Sequence, residues 1–254
     1  MILSNIIKFR ILHIINHAVA LYSIYLAYTT GTYYWFLVGF ISFLFAGIVG
    51  INVSLHRYFS HKSFKTKPWK ERILLWSTVL TSVGSPAHWC SIHRLHHVTS
   101  DTDKDPHNPE IMGNFKTWLG IWKPVEIPKR FVIPFLKTKE MRFVSNYYFY
   151  LSFGLLIALA LIDIRLAGFV YAIPACGCFH GAQAIGVLPH RWGYRRYDIA
   201  DKSHNNWLAA ILALGEGWHN NHHAHPGRWW QGETWWEIDP PAFVIKHFFM
   251  EKEQ

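Results

Sequence analysis

Histidine is the residue whose spacing carries chemical information in this chain. "HRYFSH" holds His56 and His61, "HRLHH" holds His93, His96 and His97, and "HNNHH" holds His219, His222 and His223. His190 stands alone in "LPHRWGYRRYD". On an α-helix, H-x-x-H-H places its residues at i, i+3 and i+4, within about a 100° arc, so three imidazoles can converge on one point. The H-x-x-x-x-H spacing of His56 and His61 turns about 140°, which puts them on different faces of a regular helix. Either the helix ends between them or the two bind different metals. Nine neutral imidazoles exceed the four ligands that a zinc ion usually takes, so two metal ions are expected. Imidazole suits zinc, copper, iron and nickel, and affinity alone does not choose among them.

Soluble di-iron bundles use carboxylates, whereas this ligand set is nearly all histidine. Glu216, Asp101, Asp103 and Asp105 adjoin the clusters and are expected to hold ligand rings in the right tautomer and offset metal charge. The other histidines are weighed against ordinary packing. His13, His17 and His247 read as interfacial side chains, and His88, His107, His180, His204 and His225 lie near the clusters but outside their spacing. "HPGR" (225–228) resembles the haem-ligating loop of cytochrome b5-like domains, but too little sequence surrounds it to build such a domain.

The elements that must carry these groups are apolar. Hydrophobic residues make up 51% of the chain and charged residues 16%, against roughly 25% charged in a soluble domain. Four segments, about 11–29, 33–53, 147–163 and 166–188, approach the ~20 residues needed to span a bilayer. They form two hairpins closed by "TTGTY" and "DIR", and of the 25 basic residues only Arg165 falls in a hairpin turn. Lys/Arg-rich loops stay cytoplasmic, so both termini and the polar body are expected on that side. The N-terminal stretch shows no small-residue cleavage site after its apolar run and reads as a retained membrane helix. Tyr28, Tyr33, Tyr34, Trp35, Tyr147, Tyr148 and Tyr150 read as aromatic belts. Segments 73–83 and 207–214 are too short to span and lead into histidine clusters, so they are read as helices at the interface or in the cytoplasmic body. Three cysteines offer no disulfide framework. The net charge of +9 comes without a nucleic-acid module, so no nucleic-acid partner is expected. The predicted fold class is an all-α integral membrane protein: one domain over 1–254, with a cytoplasmic helical cap (54–146 and 189–254) carrying a histidine-ligated di-metal site.

Over roughly residues 30–226 the chain resembles the membrane-bound fatty acyl desaturases of the Δ9, stearoyl-CoA desaturase type. "HRYFSH", "HRLHH" and "HNNHH" resemble that family's three boxes, and "DPHNP" (105–109) and "WGYRRYD" (192–198) resemble two further signatures. The resemblance implies two iron ions, O₂ as co-substrate, and removal of two hydrogens from neighbouring methylenes of a saturated acyl chain. It also implies that Trp89 lines the bend of an acyl tunnel. The family has an asparagine four positions before the histidine matching His190; here Gly186 stands there, with Gln183 or a water as candidate replacement. An unactivated C–H bond independently calls for redox-metal chemistry. If the second span is α-helical, Asn52, Ile48 and Leu44 lie below His56, and their bulk is expected to set the permitted chain length.

Three rival readings were weighed: a related desaturase of other regiospecificity or a lipid hydroxylase, a histidine-rich metal transporter or sensor, and an adaptor with a histidine-rich surface. Transporters place ligands near the bilayer midplane, whereas these groups sit past the spans. Coenzyme A, a carrier protein and a glycerolipid are all compatible acyl carriers. The basic stretch Lys62, Lys65, Lys67, Lys70 and Arg72 suits an anionic carrier or anionic lipid head groups equally. The sequence shows no flavin, cytochrome or ferredoxin module, so a separate electron-donor protein of ferredoxin, cytochrome b5 or flavoprotein type is expected.

Overall fold

The computed structural model describes residues 2–121 and 125–251. Four of its helices are long and apolar enough to cross a membrane: Asn5–Thr29, Tyr34–Ser60, Lys139–Ile162 and Ile164–Val187. At 1.5 Å per residue the shortest, of 24 residues, reaches about 36 Å, more than the ~30 Å hydrocarbon layer. The protein is a membrane protein, and its described residues are helical apart from isolated bridges joining Tyr194, Asn205 and Trp218.

We label the elements that position the site α1 (Ile2–Thr29), α2 (Tyr34–Leu44), α3 (Pro68–Ser77), α4 (Pro86–Thr99), α5 (Lys139–Ile162), α6 (Ile173–Val187), α7 (Trp207–Leu212) and α8 (His219–Ala224). Several helices run beyond the segments expected from hydropathy. The first starts near the N-terminus rather than at 11, the second continues to Ser60 rather than 53, and the third begins at Lys139 rather than 147. Hydropathy marks where a helix meets hydrocarbon; the backbone goes on winding into the polar cap.

The largest departure from expectation is the winding itself. Beyond α2 the helix continues over Phe45–Ser60 as a π-helix, the rare i→i+5 form that recurs at functional sites. At its end the N–H of His61 donates to the carbonyl of His56 at 3.2 Å. This bond closes a turn of five residues and stacks the two histidines on one face. The 140° separation expected of an α-helix does not arise.

Tight turns join the spans in pairs. Gly31, at φ +66°, turns the chain between α1 and α2. Asp163 alone separates α5 from the helix that follows, its carboxylate accepting from the Arg165 N–H and pairing with the Arg165 guanidinium at 2.7 Å. Small residues allow close packing of spans where there is no hydrophobic drive between them. A Cβ on Gly168 would meet Ser23 Oγ, and the Ser23 hydroxyl donates to the Ile164 carbonyl at 2.9 Å. His13 and His17, expected as interfacial side chains, are instead partnered within this packing. His13 Nε2 lies 3.0 Å from the Ser82 carbonyl, and His17 Nε2 lies 3.1 Å from His180 Nε2. A polar ring inside hydrocarbon is costly unless partnered, which is why both find one.

In the cap, Pro86 opens α4 at a position where its missing N–H costs nothing. Leu55, Phe59, Phe64, Leu74, Val144 and Ile245 form the buried core beneath it. Gly168→Val should force the first and fourth spans apart and destabilise the protein by about 1–3 kcal/mol. Thermal unfolding in detergent checks this, with a lowered midpoint expected.

Candidate metal centre

The nine cluster histidines come together as two groups. His56, His61, His93, His97 and His222 form one; His96, His190, His219 and His223 form the other. Within each group the ligand nitrogens all lie within 4.8 Å of one another. Neither H-x-x-H-H triplet converges on a single point as the spacing suggested. The i, i+4 pair of α4, His93 and His97, serves the group of five, while His96 turns to the group of four. On α8 the pattern is reversed: His219 and His223 face the group of four and His222 crosses to the other. Each helix therefore contributes to both centres.

The facing atoms are Nε2 throughout the close contacts. His61 lies 2.7 Å from His93, His56 2.9 Å from His222, His97 3.0 Å from His222, and His190 3.1 Å from His219. The opposite ring nitrogens are pinned from outside. His56 Nδ1 meets Glu216 at 2.5 Å, His96 meets Asp105 at 2.9 Å, His190 meets Asp101 at 3.0 Å, and His223 meets Asp201 at 2.8 Å. An Nδ1–H donated outward leaves an Nε2 lone pair aimed inward, the arrangement a metal ligand needs. His223 Nε2 is buried with no hydrogen-bond partner, an unmet acceptor that a cation would satisfy. Two divalent ions would also balance the charge of the four carboxylates. The donor set fits a pair of metal ions.

Electrostatics keep these ligands ready. Burial, and then repulsion among neighbouring imidazoles, hold His93, His97, His219 and His222 well below the ordinary histidine range. The same causes take His61 down to about 2. Burial lowers His223 to about 4, although Asp201 pulls the other way. Burial also lowers His96, but the Asp105 hydrogen bond outweighs it and raises this ring's proton affinity. Burial alone would raise Glu216; Arg57 and His56 bring its carboxyl down to about 2. Asp105 and Asp201 are likewise drawn below the carboxylate range by His96 and His223, against the effect of burial.

Sequence reasoning did not find Asp201 or Arg57. Asp201 lies in a loop 22 residues from His223, where only tertiary folding brings them together. Arg57 follows His56 in "HRYFSH"; it is 1% exposed and bonds Glu216 at 2.8 Å and Asp239 at 2.9 Å. A guanidinium at the end of an apolar span was the available signal. Asp103 is exposed and away from the rings. His225 packs on Tyr197 outside both groups, while His88 and His107 line the cavity described next.

That cavity fronts both groups, touching His56 and His93 of one and His96, His190 and His219 of the other. It runs down into the spans past Asn52, Ile51, Gly47 and Phe43. Leu44 and Ile48 are not on its wall, and Ile48 packs into the core instead. The π-winding moves the face below His56 by about one residue per turn, so Ile51, five back, takes the place expected of the residue four back. Trp89 lines the cavity and stacks on His93 with ring centroids 5.1 Å apart and planes 13° apart. Gln183 is buried in the same wall, its amide bonded to no described residue, and a Cβ on Gly186 would meet only Thr117, at 3.6 Å.

A helical membrane protein with two histidine cages at the head of an apolar cavity defines the class. Residues 33–237 match the sequence model of the fatty acid desaturase family, and the chain belongs to that family. It is an enzyme that desaturates fatty acyl chains. Among its relatives is the sn-1 stearoyl-lipid 9-desaturase of Anabaena variabilis, 34% identical over 84% of this chain and 80% of that protein. The enzyme of the same name from Synechocystis sp. is 35% identical over 91% of this chain and 73% of its own length. The icosanoyl-CoA 5-desaturase of Limnanthes douglasii is 35% identical over 83% of this chain and 62% of that protein.

The lowered histidines make metal-free protein sensitive to acid. The unfolded chain binds protons below about pH 6.5 where the folded cluster refuses them, so stability falls with pH from there down. Each such group contributes up to about 1.4 kcal/mol per pH unit. Chelator-stripped protein should melt at a lower temperature at pH 5.5 than at pH 7.5, and metal-loaded protein should show a smaller difference.

Proposed function

We propose that the chain is a single-domain di-iron desaturase that uses O₂ and two electrons to place a cis double bond at Δ9 in a saturated long-chain acyl group. The observation that carries this reading is the pair of five- and four-histidine cages at the mouth of one apolar cavity descending between the spans. The five-histidine cage would hold one ion and His96, His190, His219 and His223 the other. Iron bound there supplies the O₂ activation that an unactivated C–H bond requires. The remaining work belongs to side chains. Glu216, Asp101, Asp105 and Asp201 hold four rings in one tautomer. Trp89 stiffens His93 and shapes the cavity beside it, so that one stretch of acyl chain is held against the cages.

The acyl carrier is read as a glycerolipid, because the two 9-desaturases cited act on stearoyl-lipid and match this chain along most of their length. A coenzyme A thioester is the second reading, favoured by the icosanoyl-CoA relative. The polar body and both chain ends are assigned to the cytoplasmic side, where a separate ferredoxin, cytochrome b5 or flavoprotein delivers electrons. We assign Gln183 to the open side of the four-histidine ion, directly or through a water. The supporting observations are its free, buried amide and the space left by Gly186.

Expression in a host lacking its own desaturase tests the reaction. Double bonds at the ninth carbon, appearing first in glycerolipids, support the reading; label appearing first in acyl-CoA selects the thioester, and no unsaturated product overturns both. His93→Ala, His97→Ala and His222→Ala should each abolish product while the protein still inserts in membranes. Full activity in any one removes that residue from the ligand set. Iron retention under a chelator reports on Gln183: Gln183→Ala should lose metal about 10- to 100-fold more readily, the usual cost of removing an outer ligand partner. Gly186→Asn should slow that loss.

A further inference from the structure

A second apolar cavity lies deeper among the spans, walled by Ile24 of α1, Phe36, Gly39 and Phe40 of α2, and Phe169 and Ile173 of the fourth span. Ile24, Phe36 and Phe40 are 37%, 42% and 58% exposed, so its mouth opens on the lipid-facing surface. The two cavities share two wall residues, Phe43 and Gly177. Phe43 lies directly on Gly177: a Cβ there would come within 2.7 Å of the ring's Cδ2 and Cε2. The partition between the metal-fronting cavity and the lipid-facing one is thus a single aromatic side chain resting on a bare backbone.

We propose that the second cavity receives the methyl end of the acyl substrate, and that Phe43 is the movable partition admitting it. The inference rests on the desaturase reading. A phenylalanine ring turning about its first side-chain bond off Gly177 joins the two spaces into one path from the histidine cages to the bilayer. A tail extending beyond Phe43 meets only apolar walls and then lipid, so added methylenes carry no desolvation penalty. The occupant is a hydrocarbon tail because the walls named offer no polar side chain to recognise anything else. The ring therefore sets how readily long chains are accepted, and the cavity behind it determines where they go.

The test is a competition assay in membranes, offering a ladder of saturated acyl chains and reading the ratio of long-chain to short-chain unsaturated product. Phe43→Ala should raise that ratio roughly tenfold, the scale on which apolar pockets discriminate. Phe43→Leu, which keeps an apolar side chain at the position, should raise it less. Adding Ile24→Trp, which fills the second cavity without touching the first, should return the Phe43→Ala ratio to the wild-type value. An unchanged ratio in both Phe43 variants overturns the partition. A raised ratio that survives Ile24→Trp overturns the second cavity as the destination. Failure of the wild type to desaturate any chain defeats the underlying reading instead, so the two failures are distinguishable.

Discussion

The structure depends on one electrostatic constraint: nine imidazole nitrogens point at two small volumes, with facing pairs as close as 2.7 Å. Lone pairs at that range repel, and protons cannot relieve them, because burial and mutual repulsion keep most of the rings neutral. Such an arrangement is favourable only around cations. Before any cation arrives, it must be held by something stronger than its own repulsion. The outer carboxylates do this, each accepting an Nδ1–H and being locked in turn. Glu216 is held by Arg57 and Gln231, and Asp101 and Asp105 are linked through a backbone N–H. The buried Arg57 belongs to this scheme, since without it Glu216 would be an unpaired charge in an apolar setting.

The helices meet that constraint by unusual local winding. An α-helical second span would direct His56 and His61 to different faces, and one cage would lose a ligand. The π-helical stretch Phe45–Ser60 lines them up and, by the same change of pitch, rotates Ile51, Gly47 and Phe43 onto the cavity wall. Ligand alignment and substrate path are thus set by a single backbone feature. The exchange of ligands between α4 and α8 has a comparable effect. Each short helix binds to both centres, so neither ion can be placed without fixing both helices.

What could be read from the sequence follows from what is local. The four spans, the two hairpins and the nine ligands rest on composition and on spacings of a few residues. The partition of ligands into five and four was not legible, because it depends on the crossing of α4 and α8. Asp201 was hidden for the same reason: its partner His223 is distant in sequence, and no motif links them. The expected tunnel residues Leu44 and Ile48 were displaced by one position because the α-helical repeat was carried through a segment that does not follow it.

His17 and His180 show why proximity alone does not define a metal cage. Their Nε2 atoms are 3.1 Å apart, a spacing also found between cage members. Their ring centroids, however, lie 5.3 Å apart, against 4.3 Å for His56 and His222. Rings that meet end to end share a proton, whereas rings inclined toward a common point leave room for an ion. His17 Nδ1 donates to the His13 carbonyl, which leaves its Nε2 as the acceptor and His180 as the donor. The pair closes as an ordinary hydrogen bond between α1 and α6, with no third ligand required. The same residue type, at the same distance, ties two spans together in one place and prepares a metal site in another; ring inclination and the presence of outer carboxylates decide which.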